Sequence, residues 1–461
     1  MESFDLAVIG AGPGGYPAAI RAAQLGASVA LVEKERLGGT CLNWGCIPTK
    51  TLIAGADLLH KIRHAGTFGI RVENATLDYA ALVAHKNGVV GKLQSGIAQL
   101  LSANGVKSFT GTASFHDRHT LDLGEGRRIE ARRIVLATGS TSSVPGFLPR
   151  HERVVESRAF LDRTELPGRL LVLGGGFIGC ELACMAAALG SQVTLVELLE
   201  DILLPLDADV RREVRGHMEK QLQMRILTGH ALESVSADGS GVSGRVNGEL
   251  LQADLLLCAI GRKPVTEGLR LENAGLKTNE RGYLETDEFG QTAVAGIYAI
   301  GDVTGKTQLA HNATAQGIAA AENAVTDKPR RQETLVPNVL FTSPEIGTVG
   351  LCEEDAKRRQ LAVKTGRFRF GALGKALASG EPNGFVKWIA DAATGQLLGA
   401  AAVGAHATEL IAEAATAIRA ELTVGELGHT IHAHPTFSEA WMEAAHAVEG
   451  ECIHAPPKRK K

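Results

Sequence analysis

The sequence predicts an α/β chain built on parallel sheets, and three observations carry that prediction. The order strand, Gly-x-Gly-x-x-Gly, helix, Gly, strand, acidic residue occurs twice. Three further apolar runs end in glycine, as strands do where an open parallel sheet gathers its ligands. Beyond residue 333 the glycine pattern stops, and short strands are followed by Ala-rich helices, an α+β arrangement.

The first copy is DLAVIGAGPGGYPAAIRAAQLGASVALVEK (5–34) and the second is RLLVLGGGFIGCELACMAAALGSQVTLVEL (169–198). Gly10, Gly12, Gly15 and Glu33 recur as Gly174, Gly176, Gly179 and Glu197, each 164 residues on and without a gap. This is the Rossmann-like dinucleotide-binding unit. Its first glycine allows the tight turn. The second lets the backbone approach a pyrophosphate, and the third lets helix and strand pack closely. The phosphates then sit on free N–H groups at the helix start. The terminal carboxylate accepts ribose hydroxyls and repels a 2′-phosphate, so Glu33 and Glu197 both favour an unphosphorylated ribose. Two units predict two dinucleotides. FAD at one and NAD at the other is a coherent pair, and the glycines alone do not say which is which.

Between the copies lies LGGTCLNWGCIPTK (37–50), with Cys41 and Cys46 five positions apart. On a straight helix such positions lie ~140° round the axis and ~8.7 Å apart at Cα. A disulfide needs Cα atoms within ~7 Å. Either these cysteines do not bond to each other or the backbone bends. Gly45 removes side-chain restraint, and Pro48 cannot donate to the carbonyl of Trp44, so a distorted turn is predicted here.

RRIVLATGS (132–140), DLLLCAIGRKP (254–264) and GIYAIGDVTG (296–305) read as apolar strands ending in glycine. Asp302 follows the last of these, where a carboxylate binds sugar hydroxyls or caps a turn. AHNATAQGIAAAENAV (310–325) reads as an amphipathic helix, and DKPRRQETLVP (327–337) as a domain junction. The tail has strands at 363–370, 384–391 and 397–404 and helices at 405–421 and 438–449. PPKRKK (456–461) reads as a loose basic end.

The whole chain has 461 residues, is 44% hydrophobic and 21% charged, and carries 48 basic against 51 acidic residues, for a formal charge of −3. That balance gives no reason to expect nucleic acid or an anionic membrane as a partner. No apolar run of about twenty residues predicts a membrane span. MESFDLAVIGAG enters a strand almost at once, so no signal or transit segment is expected. Seven cysteines in this length do not form a disulfide scaffold, which fits a reducing compartment. Cys180, Cys184 and Cys258 fall in apolar helix and strand runs and read as core filler.

Two dinucleotide units, GGTCLNWGCIPTK, and HAHPTFSEAW at 432–441 together make the chain resemble the FAD-dependent pyridine nucleotide–disulfide oxidoreductases. The resemblance covers essentially the whole chain, in the family's order of motifs. It implies an FAD-binding domain at 1–147, an NAD-binding domain at 148–264, a central segment at 265–333 that completes the FAD site, and a C-terminal dimerisation domain at 334–461. FAD would be held by Gly10, Gly12, Gly15, Glu33, Thr40, Lys50, Thr138, Gly139, Asp302, Leu309, Ala310 and His311. NAD would be held by Gly174, Gly176, Phe177, Gly179, Glu197 and Gly261. Phe177 falls where some members have an aromatic gate over the nicotinamide pocket.

The activity implied is oxidation of protein-bound dihydrolipoamide to lipoamide, with two electrons passing through a redox-active disulfide and FAD to NAD. Cys41 would exchange with substrate and Cys46 would face the flavin. Lys50, near flavin N5, would pair with Glu181. His434 would be the base, oriented by Glu439. Imidazole suits that task because its ordinary pKa lies near the operating pH. The histidine would serve the other subunit's cysteines, making a cytoplasmic homodimer with shared active sites. Its partners would be lipoyl domains and the core acyltransferase of a 2-oxo acid dehydrogenase complex. The alternative is a glutathione-reductase-like enzyme. That enzyme normally takes NADPH, against which Glu197 argues. A mercuric-ion reductase would call for a vicinal cysteine pair near the C-terminus, where this chain has only Cys452. His429, His432 and His434 lie within six residues, but no cysteine or carboxylate triad with ligand spacing accompanies them, so no metal site is expected.

Overall fold

Glu2–Ile9 is buried along most of its length because it is the centre of a seven-stranded sheet. Residues 1–456 are described by the computed structural model, and the basic end at 457–461 lies outside the described residues. The strands run in the order Lys107–Thr110, Val29–Glu33, Glu2–Ile9, Arg128–Leu136, Thr120–Asp122 and Ser114–Phe115. The seventh strand, Ile297–Ala299, arrives from far along the chain and pairs in parallel with Ile134–Leu136. The helix Ala310–Val325 then packs on Gly15–Gln24 of the first copy, with Gly317 against the Gly14 backbone. The central segment is thus physically part of the first unit.

The second copy builds a five-stranded parallel sheet: Arg225–Thr228, Gln192–Glu197, Arg169–Leu173, Leu255–Cys258 and Val154–Glu156. An antiparallel meander, Glu233–Asp238, Gly241–Val246 and Glu249–Ala253, covers one face. The run 254–264 is not one strand, as its apolar pattern suggested. It stops at Cys258, and Gly261 turns the backbone at φ +133°. Arg262–Pro264 then starts a separate two-stranded ribbon with Ser140–Ser142. The run 132–140 splits in the same way, between Leu136 and Ser140. The ribbon is where the two dinucleotide units are joined.

The cysteine segment leads into Cys46–Arg63, which pairs with the 25-residue helix Tyr79–Ala103. Asp78 caps the latter, accepting from the Ala81 N–H at 2.9 Å. That long helix carries no glycine fingerprint, and the sequence pattern above did not single it out.

The C-terminal unit is a five-stranded antiparallel sheet in the order Asn338–Leu340, Ile346–Gly350, Leu397–Gly404, Gly384–Asp391 and Val363–Arg369. Helices Ala407–Arg419 and Glu439–Glu449 pack on it. Trp388 and Trp441 meet between sheet and helix, their rings tilted with centroids 4.6 Å apart, and the Trp388 indole donates to the Trp441 carbonyl. Among the described residues no helix is long and apolar enough to cross a membrane.

Candidate active site

The two glycine fingerprints have the same internal logic in space. A Cβ on Gly10 would lie 2.4 Å from the Ala137 carbonyl oxygen, and one on Gly15 only 1.8 Å from the Gly10 oxygen. The second copy repeats this, with Gly174 at 2.6 Å from the Ala259 oxygen and Gly179 at 2.0 Å from the Gly174 oxygen. The middle glycines differ. A Cβ on Gly12 meets nothing nearer than the Gly39 Cα at 3.8 Å, and one on Gly176 meets nothing within 4 Å. The outer glycines are therefore required by the protein's own packing. The middle ones are required by no neighbour in the chain, and they leave open backbone that a pyrophosphate could approach. Glu33 and Glu197 stand alike at the two strand ends. Glu33 accepts from the Ala11 and Glu35 N–H groups at 2.7 and 2.8 Å, and Glu197 from Gly175 and Leu199 at 2.6 and 2.8 Å. These bonds aim each carboxylate across the mouth of its own glycine loop. Both cradles fit a dinucleotide.

Cys41 and Cys46 form a disulfide with Cα atoms 4.6 Å apart. The backbone achieves this by breaking the helix. Gly39–Trp44 ends at Gly45, whose φ of −141° and ψ of −107° belong to no helix, and Cys46–Arg63 begins anew. The sequence predicted a distorted turn; the structure has two helices with one cysteine in each. Gly38 donates to the Ala11 carbonyl at 2.8 Å, and a Cβ on Gly39 would lie 2.5 Å from the Gly12 Cα. This backbone contact sets the half-buried Thr40 and the bridge directly against the first cradle.

Lys50, one turn past Cys46, donates to both carboxylate oxygens of Glu181 at 2.9 and 2.8 Å. Glu181 lies on Phe177–Leu189, the helix of the second copy. Phe341 completes the cluster: its N–H donates to Glu181 at 2.8 Å, and its ring lies 4.6 Å below the Lys50 ammonium. Phe177 opens that helix, half-buried against the core that joins the cysteine helix to the second unit.

Asp302 lies in the short 3-10 turn Gly301–Thr304 and receives the Ser140 hydroxyl. Arg262 backs the pair, donating to the Ser140 hydroxyl and carbonyl oxygens, each at 2.7 Å. Thr138 donates to the Val265 carbonyl at 2.6 Å, and Gly139 takes φ +70°. Leu309 and Ala310 begin the helix Ala310–Val325 with no side-chain cap, so its first N–H groups are free for a ligand. The His311 ring instead bonds the Pro337 carbonyl at 2.7 Å.

His434 and Glu439 meet as their types suggest. His434 Nδ1 donates to Glu439 Oε1 at 2.8 Å, and the Thr436 N–H donates to Oε2 at 2.8 Å. Burial works to raise the Glu439 pKa, but the Thr436 and His434 bonds prevail and hold it below the usual carboxylate range. The His434 side chain is 76% exposed, and none of its hydrogen bonds reaches the cysteines of its own chain. His432 instead bonds Glu413 at 2.7 Å, and His429 stands edge-on to His446.

Cys180 and Cys184 are buried, and burial pushes the Cys184 thiol up to about 12. Cys258 is also buried. Cys452 donates to Glu443 at 3.0 Å, and burial and that bond push its thiol up to about 11. Sequence reasoning missed Arg262, Ser140 and Phe341. Arg262 directly follows Gly261, which the glycine pattern did mark. Phe341 carries no local signal.

The family described as pyridine nucleotide-disulphide oxidoreductase matches residues 4–317, and its dimerisation domain matches residues 336–445. A relative from Chlamydia trachomatis, named dihydrolipoyl dehydrogenase, is 42% identical over all of both chains. One of the same name from Haloferax volcanii is 44% identical over 98% of this chain and 97% of its own, and one from Thermus scotoductus is 43% identical over 98% and 99%. Among solved structures, LpdA from Mycobacterium tuberculosis superposes with a TM-score of 0.90 at 28% identity, covering 96% of this chain and 99% of its own. The HOCl-induced flavoprotein disulfide reductase RclA from Escherichia coli gives 0.88 at 29%, with the same coverage.

Proposed function

The chain belongs to the pyridine nucleotide-disulphide oxidoreductases, and from that membership we propose that it oxidises protein-bound dihydrolipoamide to lipoamide with NAD as the final acceptor. The observation that carries the reading is the Cys41–Cys46 bridge, seated by Gly39 against the first cradle. The cofactors are FAD, at the first cradle, and NAD, at the second. Bound FAD supplies the two-electron exchange between the cysteine pair and NAD.

The chain's own residues account for the thiol chemistry. His434 takes the proton of one substrate thiol at Nε2, because Nδ1 is committed to Glu439. The resulting thiolate attacks Cys41, and Cys46 leaves as a thiolate. The second substrate thiol then attacks the substrate sulfur of the mixed disulfide and its proton passes to the departing Cys41, so lipoamide closes and Cys41 leaves as a thiol, while the first proton stays on His434. The cysteine pair has gained two electrons and the substrate has lost two. Lys50 supplies positive charge one turn from Cys46, which favours a thiolate there, while Glu181 holds its ammonium in place.

FAD is held by Gly12, Glu33, Thr40, Lys50, Thr138, Gly139, Asp302 and the N–H groups at Leu309–His311, and NAD by Gly176, Phe177, Glu197 and Gly261. The match to the dimerisation domain supports a homodimer. Within that dimer each His434–Glu439 pair faces the cysteines of the other protomer, which accounts for its exposure in one chain. The reading extends to a cytoplasmic enzyme that receives lipoyl domains and sits on the acyltransferase core of a 2-oxo acid dehydrogenase complex.

The test is NADH formation from dihydrolipoamide by purified protein, with NADP and glutathione as controls. Strong glutathione turnover without lipoamide activity rejects the reading.

A further inference from the structure

Arg262 lies at the junction of the two dinucleotide units and was not among the residues the sequence marked. It begins the ribbon strand Arg262–Pro264, just past the end of the second unit's sheet, and its side chain is 14% exposed. Its Nε and Nη2 donate to the hydroxyl and carbonyl oxygens of Ser140, and Nε lies 3.8 Å from Asp302 Oδ2. Burial pushes the Arg262 pKa down, while the Asp302 and Glu156 carboxylates oppose it.

The polarity of this chain of bonds is forced. A guanidinium has donors and no acceptor, and a serine hydroxyl has one proton. With its oxygen accepting from Arg262, the Ser140 hydroxyl directs its proton to Asp302 Oδ2. Oδ2 is therefore taken, and Oδ1 has no hydrogen-bond partner among the described residues. Asp302 is left with one free acceptor at the carboxyl end of the first unit's sheet, where a sugar hydroxyl is recognised.

We propose that Arg262 is a positioning residue for the first cofactor site: through the Ser140 hydroxyl it orients Asp302 so that Oδ1 accepts a hydroxyl of the flavin's ribityl chain. The proposal rests on the reading of Asp302 as an FAD ligand. The relay also ties FAD retention to the end of the second unit's sheet. Lysine is a poor substitute, because a single ammonium does not reproduce the two-pronged grip on Ser140.

The experiment uses holoenzyme carrying Arg262→Met, Arg262→Lys, Ser140→Ala, Asp302→Asn or Arg262→Met with Asp302→Asn. FAD dissociation is followed by released-flavin fluorescence, alongside kcat and KM for NAD. Arg262→Met and Ser140→Ala each weaken FAD binding about tenfold, in the range of a lost hydrogen bond to a charged group. Arg262→Lys recovers only part of the loss. Asp302→Asn also weakens FAD, and adding Arg262→Met to it costs less than about twofold more, since the arginine acts through that carboxylate. Unchanged FAD retention in both Arg262→Met and Ser140→Ala overturns the proposal, as does a fully additive loss in the double variant. Should Arg262→Met fail to fold, Ser140→Ala decides alone. Unchanged retention in a further variant, Asp302→Ala, which removes both acceptor oxygens, overturns the underlying reading of Asp302, whatever Arg262 does.

Discussion

Lys50 and Glu181 lie 131 residues apart in the chain and are joined through both carboxylate oxygens, at 2.9 and 2.8 Å. The pair connects the cysteine helix to the helix of the second unit, and Phe341 from the third unit holds it from below. Glu181 is 11% exposed on its side chain, so losing its partner leaves a nearly buried charge. Lys50→Met lowers kcat by at least about 100-fold and costs ~3 kcal/mol of stability. Glu181→Gln is milder, because the amide oxygen still accepts from Phe341. Turnover and urea unfolding of both variants check the order; equal losses contradict it.

His434→Gln removes the proposed base and lowers kcat by ~10²–10⁴-fold. Glu439→Gln has a smaller effect, since it keeps the ring in place while removing the charge that stabilises imidazolium. Flavin content, read from the absorbance spectrum, stays at its original value in both. A variant that loses its flavin shows that the segment is structural.

Gly45→Ala tests how the cysteines are brought together. A Cβ here lies 3.1 Å from the Thr40 carbonyl oxygen and 3.4 Å from the Cys41 Cα. The methyl crowds the break between the helices and separates the sulfurs. Titration with dithiothreitol shifts about tenfold toward the dithiol, the size of a modest overpacking cost of ~1–3 kcal/mol. An unchanged midpoint shows that the break tolerates a side chain.

The His432–Glu413 pair makes stability depend on pH. The Glu413 bond, helped by the Thr430 carbonyl, raises the His432 pKa against a smaller burial effect. A group whose folded pKa exceeds its unfolded value contributes fully below the unfolded pKa, about 6.5. That contribution is lost as pH rises through the folded value. Glu413→Gln therefore lowers Tm at about pH 6 and changes it little at about pH 9. Equal shifts at both pH values contradict the assignment.

Lys387 is the buried counterion of Asp207, Asp209 and Glu353, at 2.8, 2.7 and 2.8 Å, with 2% of its side chain exposed. Two of those carboxylates belong to the second unit and the third to the C-terminal unit. Burial disfavours its charge, yet the three carboxylates raise its pKa on balance. Lys387→Met removes their shared counterion, leaving only Arg367 at 3.8 Å beside Asp209 among the described residues, and costs ~3–5 kcal/mol, measured by urea unfolding. A loss under about 1 kcal/mol shows that water or a cation takes its place.

The cradles were legible in the sequence because their signal is local. Gly10, Gly15, Gly174 and Gly179 are dictated by backbone atoms within the same strand–turn–helix unit or the strand beside it. His434 and Glu439 were legible for the same reason, being five residues apart and bent together at the Pro435 segment. The limits of the apolar strands were not. Residues 254–264 read as one strand, but Gly261 redirects the chain toward Ser140–Ser142, a partner strand more than a hundred residues upstream.

By itself the sequence determined two dinucleotide units, their acidic ends and the cysteine pair, since periodicity and spacing encode contacts close along the chain. Spacing alone left open whether Cys41 and Cys46 bond, and the family resemblance implied that they do. Only the tertiary structure decided that, by breaking the helix at Gly45 and bringing the Cα atoms to 4.6 Å. It also decided that Glu181 and Phe341 gather on Lys50, and that Arg262 reaches Asp302 through Ser140. Such contacts join residues more than a hundred positions apart, and no local pattern of side chains specifies them; they follow from how the packed units meet.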